Sequence, residues 1–133
     1  MATLTFFFDR NFGTGFPKCL RTIPRVPFAI EYHDEKKHGF TQTTADDDWL
    51  NAIAAHKWIV LSHDGLQKNA MAVEAIKQHK IRCFCLEGAQ APVWDKITVL
   101  ARGYRGICET VSSVKPPYIY RVTRDGKLKQ VPI

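Results

Sequence analysis

Two nearly unbroken apolar stretches each run straight into acid. Leu4-Thr5-Phe6-Phe7-Phe8 meets Asp9, and Trp58-Ile59-Val60-Leu61 meets Ser62-His63-Asp64-Gly65. A strand with one wet face alternates apolar and polar residues, so a continuous run is expected where both faces are covered. Strands of that kind belong to mostly parallel sheets with helices on either side. Ligands bind such sheets beyond the carboxyl ends of the strands. Asp9 and Asp64 are expected at that edge.

The rest of the chain alternates accordingly. Phe28–Tyr32 and Ile81–Leu86 read as two further strands. Short helices are expected over Phe16–Leu20 and from Asp46 onward, where Trp49, Leu50, Ile53 and Ala54 make one apolar face. A helix is read from Leu66 to His79, with Leu66, Ala70, Val73 and Ile76 inward. A longer one runs from Ala91 to about Val111, with Val93, Ile97, Leu100, Tyr104 and Ile107 or Cys108 as its stripe. Gly103 and Gly106 weaken that helix and mark either a kink or a close contact. Asp125-Gly126, between Tyr118–Val122 and Lys127–Val131, is a hairpin signal. The residues between 33 and 43 form a charged loop. The fold class expected is α/β, with a mostly parallel sheet, helices on both faces and a C-terminal β-hairpin, in one domain over residues 1–133.

At 45% hydrophobic residues the chain is not disordered as a whole. No apolar run approaches the roughly 18 residues of a membrane span. The start, MATLTFFFDR, has no basic region and carries an early acid, so it is not read as a signal peptide. Cys19, Cys83, Cys85 and Cys108 form no CxxC pair and are expected as reduced thiols of a cytoplasmic protein. The net charge is +6, yet the acids cluster, a balance that suits a polyanion brought to a metal site.

The candidate acids are Asp9, Asp64 and the run Asp46-Asp47-Asp48. Two carboxylates ~5 Å apart repel by about 3 kcal/mol at an effective dielectric of 20. A Mg²⁺ or Mn²⁺ ion removes that cost, and an all-oxygen ligand set suits either. Such an ion could activate water and neutralise charge on a phosphodiester. Successive helical positions differ by about 100°, so the three consecutive aspartates cannot all face one ion. Thr44 or Asp46 is read as the helix cap. Ser62 lies two residues before Asp64 and so shares its face. His63 is expected to be exposed. Glu87, Glu31 and Asp34 are weaker candidates, with Asp34 read as a solvated loop residue.

These features together resemble the PIN-like nuclease domains, in particular the short VapC-type toxins. The resemblance rests on strand-Asp9-Arg10-Asn11, on Asp46-x-x-Trp-Leu opening a helix, and on an apolar strand ending in Ser62-x-Asp64, 18 residues after Asp46. The closing segment Pro116-Pro117-Tyr118-Ile119-Tyr120 through Asp125-Gly126 is also similar. The resemblance implies a three-layer α/β/α PIN-like fold and a Mg²⁺- or Mn²⁺-dependent ribonuclease. It further implies the toxin of a bacterial toxin–antitoxin pair, with RNA as substrate, an antitoxin protein as partner, and often a homodimer. Carried over, Asp9, Asp46 and Asp64 are the catalytic metal acids. Ser62 stands where the family usually has Thr, and Asp47 is supporting. The family's helical glutamate has no clear counterpart, and Asp34, Glu35 or Asp47 is the candidate substitute. Arg10, Lys36, Lys37 and Lys68 are the cations expected to hold the RNA backbone. The competing reading is an inert PIN-like module that binds RNA or protein without cutting. A phosphatase with an aspartate nucleophile is disfavoured, because Asp9 is followed by Arg10-Asn11 rather than by a second acid two positions on.

Overall fold

A computed structural model of the chain describes residues 3–63, 65–88 and 91–133. Six strands form one sheet: β1 (Thr5–Phe8), β2 (Ala29–Tyr32), β3 (Ile59–His63), β4 (Arg82–Leu86), β5 (Tyr118–Val122) and β6 (Leu128–Val131). Their spatial order is β2-β1-β3-β4-β5-β6. The first five are mutually parallel, and β6 pairs antiparallel with β5 through the Asp125-Gly126 turn. Four helices connect them: α1 (Gly15–Arg21), α2 (Asp46–Ile53), α3 (Ala70–His79) and α4 (Val93–Ser113).

The phenylalanines of β1 show how the layers form. Successive residues of a strand point to opposite faces. Phe6 and Phe8 enter one core with Phe16 and Leu20 of α1 and Leu100 and Ile107 of α4. Phe7 enters the other with Trp49, Leu50 and Ile53 of α2 and Ala72, Ala75 and Ile76 of α3. All three phenylalanines are fully buried, each contributing roughly 1.5–3 kcal/mol of transfer free energy. β1 is thus sandwiched, as its apolar run requires.

The chain leaves β1 to β2 on one side and then crosses back to β3 on the other. The connections therefore diverge between β1 and β3, which opens a crevice at their carboxyl ends. Asp9 follows β1 there, and Ser62 lies in β3 beside it.

Several local expectations are corrected. The helix read as Leu66–His79 is a 3₁₀ turn, Leu66–Lys68, followed by α3. Asn69 makes the break, because its side chain accepts from the Met71 and Ala72 amides and restarts the helix as an N-cap. The buried face of α3 is consequently Ala72, Ala75 and Ile76, and Ala70 is exposed. Neither Thr44 nor Asp46 caps α2; Ala45 holds the N-cap position without a side-chain bond, and the Thr44 hydroxyl instead accepts from the Thr41 amide at 2.9 Å. α4 begins at Val93, with Pro92 at its N-cap, and Val93 is exposed. The loop after β2 holds a 3₁₀ turn, Lys36–His38.

Gly103 resolves to a close contact rather than a kink. A Cβ placed there would lie 2.6 Å from Cγ1 of the buried Val122. The glycine lets α4 settle onto β5. Gly103→Ala is expected to lower stability by about 1–3 kcal/mol, read as a fall in the urea midpoint. Gly15→Ala, where a Cβ would meet nothing within 4 Å, is expected to leave the midpoint unchanged or slightly raised.

Candidate active site

Asp9 ends a strand made of phenylalanine, so its carboxylate is carried into the core edge and is only 2% exposed. Its backbone amide donates to Leu61 O at 3.0 Å, extending the β1–β3 pairing by one residue. The side chain caps the 3₁₀ turn Arg10–Phe12, with Oδ1 accepting from the Asn11 amide at 3.0 Å. Oδ2 accepts a short hydrogen bond from Ser62 Oγ, itself fully buried. Burial outweighs these donors and pushes the Asp9 carboxyl up to about 7. The Ser62 and Asn11 bonds pull it down; the charge of Asp46 adds to the rise, and Arg10 opposes it weakly.

Asp46 opens α2 at the same edge, near enough for its charge to act on Asp9. Its oxygens are tied from three directions. Trp49 Nε1 donates to Oδ1 at 3.0 Å, one helical turn on. Asn69 Nδ2 donates to Oδ2 at 2.9 Å, and Arg10 Nη2 lies 3.4 Å from Oδ1. Arg10 also donates to the Thr44 and Gln42 carbonyls, which pins the loop before α2. Arg10, expected on the substrate, is thus bound to the protein itself. Asn69 was not anticipated from sequence; its only signal was a capping residue in the middle of an apparent helix.

Asp64 lies outside the described residues. Asp47 is partly exposed, and Lys36 and Lys68 are exposed. Lys37 Nζ pairs with Glu31 Oε1 at 2.9 Å. Glu87 pairs with Arg121 and accepts from the Arg124 amide at 3.0 Å, so it is engaged in the structure at the end of β4. Asp34 is not a solvated loop acid, since it is half-buried and accepts from Gln42 Nε2 and lies against His33 Nδ1, both at 2.8 Å.

His63 corrects an expectation outright. It is 4% exposed, because β3 is covered on both faces to its last residue. Its ring packs on Phe12 with centroids 4.1 Å apart. Burial, then the nearby Lys96 charge, depresses it to about 4, with the Asn11 backbone opposing weakly. It is a neutral imidazole at ordinary pH.

Beyond β2, Glu31, Glu35 and His38 bring ligand atoms within 4.8 Å of one another. The same carboxylates are held by Arg21 and Lys37: Arg21 Nη1 is 2.9 Å from Glu35 Oε2, and Lys37 Nζ is 2.9 Å from Glu31 Oε1. Two acids and two cations sum to zero, which makes this a salt-bridge network fastening α1 to the loop after β2.

A six-stranded, mostly parallel sheet with acids at its switch point defines an α/β protein with a carboxylate site. The family model of the PIN like domain matches residues 4–88, and the chain belongs to that family. The match takes in β1 through β4, including Asp9, Asp46 and Ser62. No curated protein and no solved structure matches the chain significantly. PIN domains are generally nucleases that use divalent metals. Among the described residues, no helix is long and apolar enough to cross a membrane.

The raised Asp9 carboxyl links stability to pH. Folding favours its protonated form, so the Asp9 contribution to metal-free stability is fully present at low pH and is lost as pH rises from about 4 through about 7, opposite in sign to that of His63. Asp9→Asn removes the charge and keeps the shape. In EDTA the variant is expected to melt above the wild type at pH 8, by a margin of a few kcal/mol at most. The margin should shrink steadily as pH is lowered towards 4, and thermal melts across that range measure it.

Proposed function

We propose that the protein is a Mg²⁺- or Mn²⁺-dependent endoribonuclease of the cytoplasm, the toxin of a bacterial toxin–antitoxin pair. One observation carries the catalytic part of this reading. Asp9 is a buried carboxylate whose charge the protein does not neutralise, set at the crevice where β1 and β3 diverge and close to a second acid. A hard divalent cation fits that environment, because it would favour the ionised carboxylate that burial disfavours. Asp9, Asp46 and Asp64 are the residues proposed to hold it. Bound there, the ion would activate water and offset charge on the phosphodiester.

The chain's own residues supply the rest. Ser62 and the Asn11 amide fix the two oxygens of Asp9, so the carboxylate does not swing. Asn69, Trp49 and Arg10 do the same for Asp46. Asp47, one position on and partly exposed, is the supporting acid. Lys36, Lys37 and Lys68 are proposed to hold the RNA backbone, whereas Arg10 is assigned to positioning Asp46. An antitoxin and a second copy of the chain are the proposed protein partners.

A second reading, an inert PIN-like binding module, draws on the same detail. Asp46 already has three protein donors, one of them cationic. The two readings part on metal. For an active site, Mn²⁺ at 100 times its Kd should stabilise the protein by about 2.7 kcal/mol, and Asp9→Asn should abolish both the melting shift and the cleavage of RNA while remaining folded. A wild-type protein whose melt ignores millimolar Mn²⁺ and that leaves RNA intact would establish the inert module.

A further inference from the structure

The opposite edge of the sheet carries a second, basic site. Lys57 precedes β3, Lys80 follows α3, and Arg82 begins β4, so all three collect at the amino ends of the central strands. A cavity of about 270 Å³ lies between them, with His79 and Trp58 also in its wall. A neighbouring one of about 320 Å³ shares Lys57, Trp58 and Arg82 and adds His56. No aspartate or glutamate lines either cavity. Among the described residues, none of the three cations has an ion-pair partner; the Arg82 side chain lies against the Tyr118 hydroxyl, and its Nε is buried without a hydrogen-bond acceptor. Arg10, Arg21 and Arg121, elsewhere in the chain, each pair with a carboxylate.

Helix capping explains part of this. Lys57 and Lys80 both stand at C-caps, in the left-handed region at φ 58° and 53°. A cation there is favoured by the last carbonyls of the helix. That accounts for one lysine at each helix end. It does not account for Arg82, a strand residue aimed at the same space, or for the exclusion of every acid. Against three full positive charges, two helix ends offer about −0.5 each. The cleft retains a net charge of about +2.

An aromatic column stands beside it. Phe7, Trp58 and His56 stack in parallel, with centroids 5.8 Å and 4.2 Å apart and interplanar angles of 7° and 8°. Phe7 is buried and both faces of Trp58 are covered, while His56 ends the column and is exposed. Unpaired cations next to an open aromatic face are what a phosphate joined to a base requires.

We propose that this cleft is a nucleotide-binding site, taking a phosphate group among Lys57, Lys80 and Arg82 and a base on the outer face of His56. β3 rises about 3.3 Å per residue, which sets the cleft roughly 17–20 Å from the Asp9 edge. It is therefore a separate site, and it holds whether or not the Asp9 edge cuts RNA.

The test measures binding alone, in EDTA, where metal-dependent cleavage cannot occur. A fluorescent single-stranded RNA is titrated by anisotropy at several salt concentrations, and AMP by calorimetry. The variant is Lys57→Asn/Lys80→Asn, because asparagine tolerates left-handed backbone and keeps both caps. Its affinity for RNA should fall about tenfold, with the salt slope reduced by about 0.7, the share of one phosphate contact. His56→Ala should weaken binding at least about fivefold. Lys77→Asn, on the exposed part of α3, should change neither. RNA bound more tightly than AMP identifies a strand as the ligand; equal binding, lost together in the double variant, identifies a free nucleotide. If neither ligand binds the wild type, or if the double variant keeps both affinity and salt slope, the cations are only helix caps and the proposal is wrong.

Discussion

The structure depends on one costly placement, a carboxylate at the end of a strand with no wet face. β1 lies inside the sheet, between β2 and β3, and its phenylalanines fill two cores, one on each face. A chain that leaves such a strand must turn at once, and Asp9 makes the turn by capping Arg10–Phe12. The same side chain then lies under Ser62 from the neighbouring strand. Its burial therefore follows from the packing of Phe6, Phe7 and Phe8 and is not a local accident. An unpaired buried charge is among the most expensive features a fold can keep, and burial accordingly pushes the Asp9 carboxyl towards its neutral form. Its presence beside Asp46 is the strongest physical mark of a site that is completed by something positive.

The supports around the two acids differ in kind. Asp9 is held by neutral donors and remains short of positive charge. Asp46 is held by neutral donors and also by Arg10. Arg10 follows Asp9 directly in the chain, yet it reaches across to the start of α2 and to the Thr44 carbonyl. One residue thus ties the turn after β1 to the helix that leads into β3. Asn69 closes the circle from α3, being both the N-cap of that helix and a donor to Asp46. Three connections of the fold, those leaving β1, β2 and β3, meet on these few side chains, so the two acids are held in place by the fold itself.

The layers were legible because their signals are one-dimensional. Continuous apolar runs marked β1 and β3, and the spacing of Trp49, Leu50 and Ile53 marked α2. The acids at the strand ends were visible for the same reason, since they interrupt the runs. What sequence did not show depends on partners distant in the chain. Arg10 reads as a free cation until Asp46 and Thr44 are brought beside it. His63 reads as a polar residue leaving a strand until Phe12 folds over it. The pattern of α3 reads as one continuous helix because Leu66 keeps an apolar register with it, while Asn69 ends one turn and begins the next. Gly103 could have meant a bend; only the position of Val122 decides that it is a contact.

The charge layout follows from the same parallel architecture. Helices that connect parallel strands all run against them, so their amino ends gather at the carboxyl edge of the sheet and their carboxyl ends at the other. α2 and α3 begin at Asp46 and just after Asn69, and the segments that follow them close at Lys57 and Lys80. Helix dipoles favour acid at the first edge and base at the second. This bias is worth only about 0.3–1 kcal/mol per exposed group, enough to choose the sign of a surface residue but not to bury Asp9 or to leave Arg82 without a carboxylate among the described residues. Those two residues exceed what the dipoles explain: burial holds the Asp9 carboxyl at about 7 at one edge, and at the other Arg82 has the Tyr118 hydroxyl beside it but no carboxylate among the described residues.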